Sequence, residues 1–201
     1  MSSSHLFSIF RVSVSLMRET CAVTFENTST KWATQCSFLI IGYGNELRGD
    51  DGVGPMVAMT VADWQLPSVK SLGVQQLTPE LAAEIVQADY VIFVDACGQS
   101  CAPTIQLNPI VIRQESLQSS TAALLSHTCE PATLVSLTQR LYGRHPQAWL
   151  LQIPTEQHDL GMHFSKTAQR GVDKALRKIE QFFITYLRPT LTRSESCMNS
   201  V

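Results

Sequence analysis

The sequence has little charge: Asp, Glu, Lys and Arg make up 16% of its 201 residues, the net charge is -2, and the basic residues are scattered rather than gathered in a patch. That excludes the strongly basic surface on which nucleic-acid binding draws. A hydrophobic fraction of 44% excludes the composition of a disordered chain. No apolar run approaches the roughly 20 residues that a membrane helix needs. The longest, at residues 38–42 and 90–94, have the length of strands, and no membrane crossing is expected. None of the six cysteines (Cys21, Cys36, Cys97, Cys101, Cys129, Cys197) forms a C-x-x-C pair, and a chain of this length reaches stability without disulfides. A reducing cytoplasm is the expected compartment, a chain of 22.3 kDa fits one domain, and a monomer is expected.

Acidic residues are also missing from the beginning of the chain, where none precedes Glu19. Residues 1–35 are rich in Ser and Thr, and Arg11 interrupts the apolar stretch from Leu6 to Leu16, against a secretory signal. A transit peptide and a later start at Met17 are alternatives to the reading adopted here: residues 1–36 as a disordered extension, 37–188 as a single α/β domain and 189–201 as a loose tail.

Within the domain, Phe38-Leu39-Ile40-Ile41-Gly42 has the continuous apolar pattern of a parallel strand buried on both faces. A glycine-rich loop carrying Asp50 and Asp51 follows, and Pro55 opens a helical stretch that runs to Asp63. Residues 69–75 read as a second strand. Thr78-Pro79-Glu80 then has a capping hydroxyl, a first-position proline and a first-turn acid, and Leu81, Ala82, Ile85 and Val86 share one face. Tyr90-Val91-Ile92-Phe93-Val94 is the third strand, ending at Asp95. Residues 104–112 form a fourth, placed at an edge by Pro103 and Pro109. Ser126-His127 precedes a helix that starts at Pro131, carries Leu134, Leu137 and Leu141, and is ended by Gly143. Residues 149–153 are the fifth strand. Phe164, Ala168, Val172, Leu176, Ile179 and Phe183 mark a long last helix, with Ser165 as its cap. Such alternation predicts a mostly parallel sheet with helices on both faces, an α/β fold in three layers.

Ligands of these folds sit at the carboxyl ends of strands. Asp51 follows the first strand, Asp95 ends the third and His127 lies in the loop before a helix, so the three can meet at one edge. Each has a plainer reading. Asp51 could satisfy backbone amides at a helix start, although Asp50 fits that role equally well and leaves Asp51 freer. Asp95 ends an apolar strand, where an acid is costly unless paired, bonded or bound to metal. His127 could simply bond the backbone, yet imidazole is the commonest nitrogen ligand of borderline metals. Two carboxylates and an imidazole would leave open positions on Zn²⁺, Ni²⁺ or Co²⁺. Cys129 is either a soft ligand or a small packing residue. His158 and His163 are spare candidates, in a loop where substrate contact and plain solvent exposure are both open readings.

Gly42-Tyr43-Gly44-Asn45-Glu46-Leu47 begins like a dinucleotide fingerprint, but Leu47 stands where the third glycine belongs. Glu46, Asp50 and Asp51 would also repel a pyrophosphate. Acids in a glycine-rich loop suit a cation better.

The run Gly42-Tyr43-Gly44-Asn45-Glu46-Leu47-Arg48-Gly49-Asp50-Asp51-Gly52-Val53-Gly54 closely resembles the opening motif of the hydrogenase maturation proteases, endopeptidases that trim the large subunit of nickel-iron hydrogenases. Gln76-Leu77-Thr78-Pro79-Glu80-Leu81 is similar to the segment after that family's second strand. Val91-Ile92-Phe93-Val94-Asp95-Ala96 is similar to its third strand, Ser126-His127 to its histidine loop and residues 161–175 to the start of its final helix. The resemblance spans residues 38–185 and implies a twisted five-stranded sheet between helices. By motif it implies that Asp51, Asp95 and His127 are the metal ligands, with aspartate standing at the first position where glutamate is frequent. It also implies a substrate: the large-subunit precursor, whose nickel the trio recognises and whose C-terminal peptide is removed. The metal then arrives with the substrate, although zinc or another divalent ion could fill the same site. A metal held by three such groups could polarise the scissile carbonyl or acidify a bound water, with Asp50 and Glu46 as general-base candidates.

A peptidyl-tRNA hydrolase-like esterase also places Gly-Asn after a first strand, but it needs a histidine soon after that motif, and none occurs between His5 and His127. A non-catalytic nucleotide-binding module is the alternative of a different class.

Overall fold

The apolar run at the start of the domain becomes β1 (Phe38–Tyr43), whose first five residues are buried because helices cover both of its faces. In this computed structural model residues 36–98, 102–112, 129–157, 159–161 and 163–187 are described. The N-terminal extension, the C-terminal tail, His127 and His158 lie outside them, as do the expectations placed on those residues.

Four further strands follow: β2 (Val69–Val74), β3 (Tyr90–Cys97), β4 (Gln106–Pro109) and β5 (Gln147–Pro154). They form one five-stranded sheet in the order β2-β1-β3-β5-β4. β1 is parallel to β2 and β3, and β3 is parallel to β5. Only β4 runs antiparallel, along β5. The mostly parallel α/β sheet expected from the alternation of elements is therefore present. β4 is an edge strand, as its prolines require, but it is confined to four residues, shorter than the expected 104–112.

The helices are α1 (Val53–Asp63), α2 (Ala82–Ile85), α3 (Pro131–Tyr142) and α4 (Lys166–Leu187). Alternation along each strand divides the core in two. Phe38, Ile40, Ile92, Val94, Leu151 and Ile153 pack with Val57, Val61, Ile179 and Phe183 of α1 and α4. Leu39, Ile41, Val91 and Phe93 pack on the other face with Ala82 and Ile85 of α2 and with Leu134 and Val135 of α3. Gly143 ends α3 at φ 72°, the left-handed cap anticipated for it. Ser165 caps α4, its hydroxyl accepting from the Ala168 amide at 3.1 Å. Thr78 precedes the 3-10 turn Pro79–Leu81 in the expected place, but its hydroxyl makes no capping bond there. The Leu81 amide bonds the Thr78 carbonyl instead.

One close approach fixes the site. A Cβ on Gly54, at the start of α1, would lie 2.3 Å from the Tyr43 carbonyl oxygen and 2.6 Å from that of Val94, and one on Gly42 would lie 1.9 Å from the Gly54 oxygen. Only paired glycines let α1 begin directly against the ends of β1 and β3. Cys97, at the end of β3, is disulfide-bonded, contrary to the expectation of a chain without disulfides. Among the described residues, Cys36 and Cys129 are not in disulfides. No helix among the described residues is long and apolar enough to cross a membrane.

Candidate functional site

β1 and β3 lie side by side with Gly42 opposite Val94, so one step further along the ladder Tyr43 and Asp95 stand next to each other on the same face. They hydrogen-bond, the phenol donating to the carboxylate. The loop after β1 folds back at Gly44, whose φ of 138° and whose missing Cβ, which would sit 2.0 Å from the Asp51 carbonyl oxygen, bring the 3-10 turn Gly49–Gly52 against the strand ends. The Asp51 carboxylate accepts the Asn45 amide at 2.8 Å. It stands near enough to Asp95 for its charge to act on that group.

Electrostatics sets the two acids of the turn apart. Asp50 is fully buried, at 0% exposure. Burial alone would raise its pKa. Four donors reverse this: the amides of Ser165 (2.6 Å), Gln157 (3.0 Å) and Glu156 (2.9 Å) and the Ser165 hydroxyl (2.7 Å), and they hold Asp50 below the usual carboxylate range. With both oxygens engaged and the side chain fully buried, Asp50 ties the β1–α1 loop to the start of α4 and is closed off from a substrate. Asp95 has the opposite balance. Burial and the charge of Asp51 raise its pKa from 3.8 to about 6, outweighing the Tyr43 hydroxyl and the Ala96 amide, which favour the charged form. Tyr43 in turn is pushed well above its ordinary value by burial, then by Asp95 and Glu130, so it remains a proton donor.

Two members of the expected trio, Asp51 and Asp95, thus come together at the carboxyl edge of the sheet; the third, His127, is outside the described residues. Among the described residues no group of three His, Cys, Asp or Glu side chains could hold a metal. Cys129 is buried in the cluster with Leu77 and Val91, and its amide bonds the Leu77 carbonyl, which gives it a packing role. His163 is exposed. Glu46 is exposed on the lip of a cleft beside the pair. The nucleotide reading fails on geometry: the first turn of α1 is buried against the strand ends, leaving no open helix start for a pyrophosphate.

Sequence reasoning did not find Tyr43 or the Ser165 contact of Asp50. Tyr43 was within reach, because strand alternation sets it on the face of Leu39 and Ile41 at the end of β1. The partners of Asp50 were not, since nothing in the local sequence links them to it.

No protein-family model matches the sequence, and no curated protein matches it. Solved structures do match. The [NiFe] hydrogenase maturation protease HybD from Thermococcus kodakarensis is 21% identical, with a TM-score of 0.54 over 73% of this chain and 98% of its own. HycI from the same organism is 19% identical, with a TM-score of 0.56 over 76% and 95%. The hydrogenase maturating endopeptidase HybD from E. coli is 19% identical, with a TM-score of 0.54 over 74% and 93%. The five-stranded sheet, its helical layers and the placing of the acid pair at its carboxyl edge belong to a chain with the fold of the nickel-iron hydrogenase maturation proteases.

Proposed function

We propose that this protein is an endopeptidase that removes a C-terminal peptide from the nickel-loaded large-subunit precursor of a nickel-iron hydrogenase. The observation that carries the reading is the Asp51–Asp95 pair: two carboxylates held near each other, one of them with a raised pKa, at the ligand-binding edge of a fold shared with hydrogenase maturation proteases. Two neighbouring acids without a cation repel, and a divalent metal removes that cost. His127 supplies the nitrogen that completes the set in this reading. Nickel enters as part of the substrate.

The residues of this chain have separable tasks. Asn45 holds one oxygen of Asp51 and Tyr43 orients Asp95, so both carboxylates are fixed before the substrate arrives. Asp95 is mostly ionised at neutral pH, as a metal ligand must be. Glu46, exposed beside the pair, is the stronger general-base candidate, because Asp50 is enclosed by its four donors.

The test is incubation of the full chain with nickel-loaded and nickel-free precursors, followed by mass spectrometry of the large subunit. Loss of the C-terminal peptide from the loaded form alone, abolished by His127→Ala, is expected. Cleavage of neither form overturns the proposal.

A further inference from the structure

β2 is the last strand of the sheet on its side: it pairs with β1, and among the described residues no strand pairs with its other edge. The register fixes which groups face outward. The Phe38 and Gly44 amides bond the Ser68 and Val74 carbonyls, so the even-numbered residues of β2 turn their backbone groups toward β1. In a parallel ladder the alternate residues, Val69, Ser71 and Gly73, turn theirs the other way. Apart from the Val69 amide, which bonds the Leu66 carbonyl, these groups form an open row of donors and acceptors among the described residues.

That row leads into a cleft of about 300 Å³. Gly44, Asn45, Glu46, Leu47, Pro55 and Gly73 line it. It adjoins the acid pair through Asn45, whose amide holds Asp51. Gly73 is exposed, and its missing side chain keeps the floor clear: the atoms nearest to a Cβ there would be those of Pro55, from 3.5 Å, an ordinary contact. Glycine is a poor strand residue, and neither a positive φ nor a steric clash requires one at this position. Leu47, 60% exposed, forms an apolar lip. Lys70, on the same strand, is ion-paired with Glu84 at 2.5 Å and belongs to the strand's other row of backbone groups.

Evenly alternating donors and acceptors along an edge are matched by an extended polypeptide. Resting on the function proposed above, we propose that the outer edge of β2 takes the C-terminal segment of the precursor as an added strand, one of whose side chains enters the cleft over Gly73. The chain then runs past Asn45 toward Asp51 and Asp95. Gly73 is a specificity-determining position in this arrangement, and the cleft is a subsite for the peptide rather than for the metal.

Two measurements test this on the full chain. In the first, a synthetic peptide of the precursor's C-terminal segment is added to the ¹⁵N-labelled protein. The Ser71 and Gly73 amides are expected to shift and become protected from exchange. Methylating alternate amides of the peptide should weaken binding in one phase and spare it in the other. Shifts confined to other elements, or no alternation, overturn the proposal. In the second, Gly73→Val, whose Cβ the fold accommodates, should raise KM for precursor processing by about tenfold with kcat nearly unchanged. An unchanged KM in a folded variant that still cleaves overturns the subsite while leaving the protease reading intact. Amide protection in a wild-type protein that cleaves no precursor does the reverse.

Discussion

Asp50 and Asp95 are both acids set into the same edge of the sheet, and they are treated in opposite ways. Asp50 is wholly buried and surrounded by four donors from residues 156, 157 and 165, so its charge stabilises the fold. Asp95 is partly buried beside another acid and retains a proton up to about pH 6, so its charge opposes the fold. The first arrangement spends its hydrogen bonds on architecture; the second leaves a carboxylate beside another acid, with burial and that neighbouring charge outweighing its hydrogen bonds. A raised pKa that stands on geometry marks a working group more reliably than burial or charge alone.

The contrast can be broken at several points. The largest effect is expected from Asp50→Ala, which leaves three amides and a hydroxyl without their acceptor: about 3 to 5 kcal/mol of stability lost, read from urea denaturation. Because the pKa of Asp50 is lowered, its contribution is complete above the ordinary value of 3.8 and is lost as pH falls through the lower folded value. Acid unfolding should therefore be shallower in the variant. Ser165→Ala removes the 2.7 Å bond to Asp50 and the cap of α4 together, and about 1 to 2 kcal/mol should go with them in the same measurement. Smaller effects concern the pair itself. Tyr43→Phe deletes a bond that favours the charged form of Asp95, so that carboxyl should titrate above about 6 when followed by ¹³C NMR. Asp51→Asn removes a repelling charge, and the same resonance should titrate below about 6. If neither substitution moved it, the pair would not be coupled.

The elements that continuous apolar runs define were legible in the sequence. Phe38-Leu39-Ile40-Ile41 and Tyr90-Val91-Ile92-Phe93-Val94 have the length and continuous apolar pattern of strands buried on both faces, and the stripe from Phe164 to Phe183 has the spacing of a helix lying on a core. β4 was over-read because residues 104–112 carry apolar side chains on both sides of the four that pair, and beyond Pro109 only the Ile110 amide still reaches β5, at the Ala148 carbonyl. The insertion of β5 between β3 and β4 is a long-range pairing that local patterns do not encode. For the site, the nearness of Asp51 to Asp95 was readable from Asp51 following the first strand and Asp95 ending the third. The assignment of Asp50 to the fold was not, because its donors lie 106 to 115 residues further along the chain.

Asp95→Asn tests the contrast most directly, with stability and precursor processing measured on one preparation. At neutral pH the variant should be more stable by about 1 to 2 kcal/mol, since it drops a carboxylate whose charged form the fold disfavours. The gain should be absent below the ordinary value of 3.8, grow as pH rises and level off above about 6. Processing of the nickel-loaded precursor should fall by about a hundredfold or more. A variant that is less stable than the wild type, or that trims the precursor at the wild-type rate, would contradict the account.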